Sequence, residues 1–274
     1  MPRVFAAVSS SEGYYRALRA TEYPYVLWSF AYPTSGQQTM GYKADAVVTD
    51  SGAFTVWQKG DAIDLGEYIA WCRQRRQEEG ADPDMVHVSL DVIPGERGRR
   101  PTEKEAKDGM AQSLANGDVM RAAGLPVMEV YHQYEPAAFL DTLLERLTPG
   151  DMLGISPRQG AGPSMHSRLR FCDGVFAHLL DRYGKELPKA HGLGLTSKQA
   201  VFKYPWWSVD SLSWVNPGIW GRAQTRNGTE IRDPEIKGKP RYREAKCREV
   251  LELWKTWNRD LESLWEKRGV TWRP

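Results

Sequence analysis

Short apolar runs alternate with longer amphipathic stretches along this chain. Runs at 4–8, 25–30, 46–49, 86–90, 127–131, 152–155, 191–195 and 207–209 have strand length and are rich in β-forming residues. The stretches between them read as helices. Residues 64–79 carry Leu65, Tyr68, Ile69 and Cys72 at helical spacing. Residues 103–123 run up to Gly124, a residue suited to closing a helix. Segments 136–147 and 167–183 are similar, and the second stops at Gly184. Such alternation predicts a parallel sheet with crossover helices. About eight units in this length favour a closed TIM-like (β/α)8 barrel, an α/β fold, over an open doubly wound sheet. No GxGxxG follows the first strand, which weakens the open-sheet alternative.

Two stretches break the repeat. Residues 95–107 form a charged loop and a helix start. Residues 221–243 carry seven Lys/Arg against three Asp/Glu, with two Pro and three Gly, and read as a long basic irregular loop. It serves either as a solvated linker or as a nucleic-acid contact. Beyond it, residues 244–268 form one amphipathic helix with Val250, Leu251, Trp254, Trp257, Leu261, Leu264 and Trp265 on its apolar stripe. That stripe packs on the barrel or forms a homodimer interface. The expected division is a catalytic barrel over 1–220 and a basic loop plus C-terminal helical extension over 221–274.

Composition narrows the classes. At 274 residues with 41% hydrophobic and 26% charged side chains, a folded domain is expected. No apolar run spans a bilayer, and the N-terminus lacks a long apolar signal region, so a cytoplasmic protein is expected. A net charge of +2 confines any nucleic-acid binding to local patches. Cys72, Cys172 and Cys247 are scattered, which argues against a zinc site and a disulfide scaffold. The eleven Trp serve either as core or as stacking surfaces for bases.

In a barrel the chemistry sits at the C-terminal ends of the strands. There the chain offers Asp50-Ser51-Gly52-Ala53-Phe54, then Asp91, then His132 and Gln133, then Asp210. Gly154, Gly192 and Gly194 fall near the ends of two further strands. A single strand-end Asp is an ordinary helix cap. Three, with an amide and several Gly, point to one polar mouth. Carboxylates without a metal-ligand cluster suit nucleophilic and acid/base work at a sugar carbon. A carboxylate can also accept together from the adjacent N1–H and N2–H of guanine.

These residues resemble the tRNA-guanine transglycosylases. Asp50-Ser51-Gly52-Ala53-Phe54 looks like their DSGG[FY] motif, His191-Gly192-Leu193-Gly194 is similar to their glycine-rich strand, and Asp210 falls where they place a nucleophile. The match runs in order from about residue 45 to 215. It implies a TIM-like barrel that cleaves guanosine through a covalent aspartyl-sugar intermediate and installs a 7-deazaguanine, with no cofactor; the scattered cysteines already argue against a metal. Asp210 would be the nucleophile and Asp50 the general acid/base. Asp91 and Gln133, or His132 in its place, would read the base edge with Ser51, Gly52 and backbone from Gly154 and Gly192. Phe54 and His191 would sandwich the ring.

The departures matter. The tRNA enzymes are longer and carry a Cys-rich zinc subdomain that this chain lacks, and Ala53 replaces the motif's second Gly. A shorter, zinc-less chain resembles the DNA-guanine transglycosylases of bacteriophages and bacterial DNA-modification clusters. The implied substrates are DNA and a free deazaguanine such as 7-cyano-7-deazaguanine, in a host cytoplasm if phage-encoded. A tRNA substrate, a hydrolysing N-glycosidase and a non-catalytic nucleic-acid-binding subunit are the alternatives. Arg97, Arg99, Arg100, Arg222, Arg226, Lys237, Lys239, Arg241 and Arg243 are the candidate phosphate contacts. Trp214 and Trp220 are candidates for stacking on a neighbouring base, and Trp207 for core.

Overall fold

A computed structural model describes residues 2–8, 12–32, 44–79, 84–96, 99–157, 164–195, 197–220, 222–224, 230–232 and 240–273. Side chains at 12, 79, 218, 220, 222–224, 230–232 and 240–243 lie outside this description.

The order of elements is β1 (Arg3–Ala7), α1 (Glu12–Thr21), β2 (Tyr25–Ser29), β3 (Ala46–Asp50), α2 (Ala53–Lys59), α3 (Leu65–Glu79), β4 (Asp84–Val88), α4 (Glu103–Ala122), β5 (Val127–His132), α5 (Ala137–Arg146), β6 (Met152–Ser156), α6 (Met165–Tyr183), β7 (Glu186–Leu187), β8 (Lys189–Gly192), α7 (Lys198–Lys203), β9 (Ser208–Ser211), α8 (Asn216–Trp220), β10 (Arg222–Gln224), β11 (Glu230–Arg232), α9 (Pro240–Lys267) and β12 (Thr271–Trp272). Strands β1, β2, β3, β4, β5, β6, β8 and β9 close in that order into a parallel barrel, with β1 hydrogen-bonded to both β2 and β9. The protein is a (β/α)8 TIM barrel. Each of the eight apolar runs contributes a barrel strand, with ends displaced by one to three residues.

Side chains alternate along each strand. Along β5, Met128 and Val130 join the inner cluster that also holds Phe5, Leu27, Ala46, Val48, Val88 and Met152. The intervening Val127 and Tyr131 join the larger cluster between strands and helices. Glu129 also points outward and is buried. It receives Arg121 Nη1 at 2.8 Å and Arg146 Nη2 at 2.9 Å. Gly117 of α4 leaves room for it, because a Cβ there would stand 2.8 Å from Glu129 Oε1.

The predicted helices form close to their expected bounds. Thr102 and Glu105 close a reciprocal capping box at the start of α4. Helix α9 fills the helical position after the eighth strand. Trp254, Trp257 and Leu261 are buried, and Val4 N–H donates to Asn258 Oδ1 at 2.9 Å. It packs against α1, β1 and α8. The apolar stripe therefore covers the first strand of its own barrel. The sequence pattern did not disclose α2, α7, the parallel pair β7–β12 or the antiparallel pair β10–β11. All are two to seven residues long, too short to set up a readable period.

The aromatic-rich composition is largely core. Trp28, Trp71, Trp206, Trp214, Trp254, Trp257 and Trp265 are buried. Trp214 Nε1 donates to Ala7 O at 2.8 Å, so this ring is not available to stack on a base. Trp207 is half-buried between the Arg3 and Lys189 cations. The Trp220 side chain lies outside the described residues. Among the described residues, no helix is long and apolar enough to cross a membrane, and no three His, Cys, Asp or Glu cluster as metal ligands.

Candidate functional site

Strand periodicity brings the polar groups together. Asp50 continues the inward series Ala46 and Val48, His132 continues Met128 and Val130, and Ser156 continues Met152 and Gly154. Asp210 occupies the inward position two residues after Ser208. These ends line one cavity of about 290 Å3 at the C-terminal mouth. Leu27, Val88, Val130 and Leu193 form its apolar floor, and Phe54, Asp91 and Gln133 complete its wall. The cavity is near the lower end of the range for small-molecule sites, and its polar side chains converge from several strand ends above the apolar floor.

Each acidic group has its own support. Asp50 Oδ2 accepts from Ser29 Oγ at 3.1 Å and from Gly52 N–H at 3.0 Å. Burial, then the neighbouring charges of Asp91 and Asp210, push its carboxyl up to about 7. Asp210 Oδ1 accepts from Gly194 N–H at 2.8 Å, and His191 Nε2 stands 3.2 Å from the same oxygen. A carboxylate can only accept, so Nε2 carries the hydrogen and Nδ1 takes the Ser208 hydroxyl at 2.7 Å. Asp91 meets His132 Nε2 at 2.7 Å through Oδ2 and Ser51 Oγ at 3.4 Å through Oδ1. Burial opposes charge on His132, but Glu135 and Asp91 outweigh it and push the imidazole up to about 10. Gln133 Nε2 donates to Ser167 Oγ at 3.1 Å, fixing the amide against the start of α6.

Of the sequence-derived residues, Asp50, Phe54, Asp91, His132, Gln133 and Asp210 line the cavity. Five do not. His191 is fully buried behind Asp210 and edge-on to Phe5, so it orients a carboxylate and does not sandwich a ring. Ser51 is buried and turned to Asp91 and the Ala53 amide. Gly52 makes the turn under Asp50. Its φ is 74°, and a Cβ would meet Ala31 Cβ at 2.6 Å. Gly154 lies within the barrel, where a Cβ would press on Val130, Glu129 O and Leu193. Gly192 faces outward onto Val209 and Trp206. Neither strand glycine is among the residues that line the cavity.

Gly194, singled out at a strand end, also lines the cavity, while Ser29, Ser156 and Ser211, with Tyr32 and Leu212 exposed at the rim, escaped the sequence reading. Ser156 is the next inward position after Gly154, one residue beyond where the apolar run stops. Ser29 is in register with Asp50 across β2 and β3.

Two of the basic candidates have described side chains. Arg99 is held by Glu105 and Glu96, so its charge is already met. Arg100 lies 4.9 Å over the Tyr134 ring, next in sequence to Gln133. Arg97, Arg226, Lys237 and Lys239 lie outside the described residues, as do the side chains of Arg222, Arg241 and Arg243.

No protein-family model and no curated protein sequence matches this chain. Among solved structures it is similar to one described as L-ribulose 3-epimerase. The TM-score is 0.52 at 13% identity, over 98% of this chain and 97% of that one. That likeness concerns the barrel and not the groups at its mouth.

Proposed function

We propose that this protein is a base-exchange transglycosylase that replaces guanine in DNA with a 7-deazaguanine. The observation that carries the reading is the pairing of Asp50 and Asp210 in one cavity. Asp50 holds its proton up to about 7, while Asp210 accepts from a backbone amide and a buried histidine. A carboxyl kept protonated by burial, facing a second carboxyl held by fixed donors, suits an acid and a nucleophile.

An Asp210 oxygen attacks C1′ of the target nucleotide, and the bond from C1′ to the base nitrogen breaks with its electrons going to guanine. Asp50 gives its proton to the departing base. The incoming deazaguanine then loses its ring N–H proton to Asp50, bonds to C1′ and releases Asp210. Both steps pass through oxocarbenium-like states, as in retaining glycosidases. Asp91 and Gln133 hold the base edge, and Phe54 supplies an aromatic face at the cavity wall. A base in a duplex has to leave the stack to reach such a cavity. DNA as substrate rests on the resemblance to the zinc-less transglycosylases.

The test is an exchange assay with radiolabelled guanine, offering DNA and tRNA separately and chasing with 7-cyano-7-deazaguanine. Exchange into DNA that Asp210→Ala abolishes supports the reading. Exchange into tRNA alone overturns the substrate, and guanine release without incorporation makes the protein a hydrolase. Exchange that persists in Asp210→Ala removes the nucleophile.

A further inference from the structure

The imidazole of His132 lies between two carboxylates, and only one of them lines the cavity. We propose that His132 and Glu135 form, with Asp91, a buried carboxylate–imidazole–carboxylate relay that sets which base edge the cavity accepts. This rests on the reading of the cavity as a guanine site.

The geometry is built for the purpose. On the cavity side, His132 Nε2 meets Asp91 Oδ2 at 2.7 Å. On the far side, Nδ1 faces Glu135 Oε1 at 3.5 Å, while Glu135 Oε2 receives the His132 backbone N–H at 2.6 Å. Nδ1 and Oε1 are both buried, and among the described residues each has only the other within ion-pair distance. The Glu135 side chain is completely shielded from solvent. The turn that folds it back passes through Tyr134 at a φ of 85°, a left-handed conformation that a bulky residue adopts only when its surroundings hold it there. Tyr131 OH closes the turn by donating to Glu135 O at 3.1 Å.

An imidazole with a carboxylate at each nitrogen is satisfied when both nitrogens carry hydrogen. Nε2–H then donates to Asp91, which turns its remaining lone pairs, and no proton, to the cavity. Ser51 donates to the other oxygen from behind. A base edge with two adjacent N–H donors, as in guanine, complements that carboxylate. Hypoxanthine offers one of the two donors, and xanthine puts a carbonyl where the second should be. Acceptor against acceptor in a buried site is strongly disfavoured. His132 and Glu135 are thus positioning residues that act through Asp91.

The experiment uses the full chain with isotope-labelled histidine, and assigns His132 by the signal lost in His132→Gln. In the wild type the His132 ring keeps both hydrogens through neutral pH and titrates at about 10. In Glu135→Gln it titrates closer to the ordinary histidine range. In parallel, Glu135→Gln raises the KM for guanine about tenfold, narrows its preference over hypoxanthine and leaves kcat nearly unchanged. His132→Gln, a second variant in case the first folds poorly, gives the same direction. A His132 ring that titrates as an ordinary histidine in the wild type overturns the relay. So does Glu135→Gln with unaltered guanine KM and base preference. A wild type that binds no guanine overturns the transglycosylase reading, which the titration alone would not do.

Discussion

His191 approaches Asp210 from behind, with Nε2 3.2 Å from the carboxylate oxygen that also accepts the Gly194 amide. Its other nitrogen is tied to Ser208 on the same strand as Asp210. The ring therefore sets the angle at which Asp210 faces the cavity without touching a ligand there. Replacing His191 by Ala frees that carboxylate to rotate. Exchange should fall on the order of 100-fold in kcat, with a smaller change in KM. Removing a fully buried ring also costs about 2–4 kcal/mol of stability. Single-turnover exchange and urea denaturation read the two effects separately. Unchanged kcat would leave His191 as packing alone.

Asp50 gives a prediction that does not depend on the reaction. Its carboxyl binds a proton more tightly in the folded chain, at about 7, than in the unfolded chain, near 3.8. The stability this contributes is present at acid pH and is lost as pH rises from about 4 to about 7. Asp50→Asn should therefore be more stable than the wild type in mildly alkaline solution and no more stable near pH 4. The linkage ceiling is about 4 kcal/mol, and solvent reaching Asp50 from the cavity lowers it. Melting temperatures of both proteins across pH check the sign. The same variant should lose exchange. On the proposed reaction the wild-type rate should peak near 7, because departure of guanine would need the proton and entry of the second base the carboxylate.

Gly52 and Gly60 form a matched pair. Both adopt left-handed backbone, with φ of 74° and 77°. Beyond Gly60 a Cβ meets nothing within 4 Å, whereas at Gly52 it would overlap Ala31. Gly60→Ala should cost about 1 kcal/mol, the left-handed penalty alone. Gly52→Ala should cost about 3 kcal/mol or more and should impair exchange, since the Gly52 amide holds Asp50. Equal costs in denaturant titration would mean that the turn yields more freely than the packing implies.

Glu129 tests the outer layer. It joins Arg121 on α4 to Arg146 on α5, and Asp118 also engages Arg146. Glu129→Ala leaves two partly shielded guanidinium groups facing each other across the emptied space. A loss of about 2–4 kcal/mol is expected, with kcat unaffected at the distant mouth. Urea denaturation and the exchange assay measure the two quantities, and a large drop in kcat would contradict the separation.

The barrel was legible because its strands are continuous apolar runs at regular spacing, and because α3, α4, α5, α6 and α9 are long enough to show a period. Asp50, Asp91, His132 and Asp210 were legible because each stands at or just beyond the end of such a run. The strand glycines fall outside the cavity lining for a physical reason. Gly154 is small because Leu193 and Val130 crowd it, and Gly192 because Trp206 lies against it, yet in sequence a glycine for packing looks like one for ligand approach. His191 carried a similar ambiguity. Its role depends on Ser208 and Asp210, seventeen and nineteen residues away, which only closure of β8 on β9 brings within reach. Glu135 left no period-based signal, because the Tyr134 turn and not a strand delivers it.

The first strand of this barrel pairs with the last one, and α9 then covers β1 through Asn258 and is tied to α1 by the Arg16–Glu244 ion pair. A chain emerging from the ribosome can assemble β2 to β6 as they appear, but β1 keeps one edge and much of its outer surface unsatisfied until β9 and α9 have been made. Completion of the cavity, with Asp210 on β9 and Asp50 on β3, therefore waits for the eighth barrel strand. Such long-range closure places this barrel among slowly folding topologies and leaves its first barrel strand in particular need of protection from wrong partners.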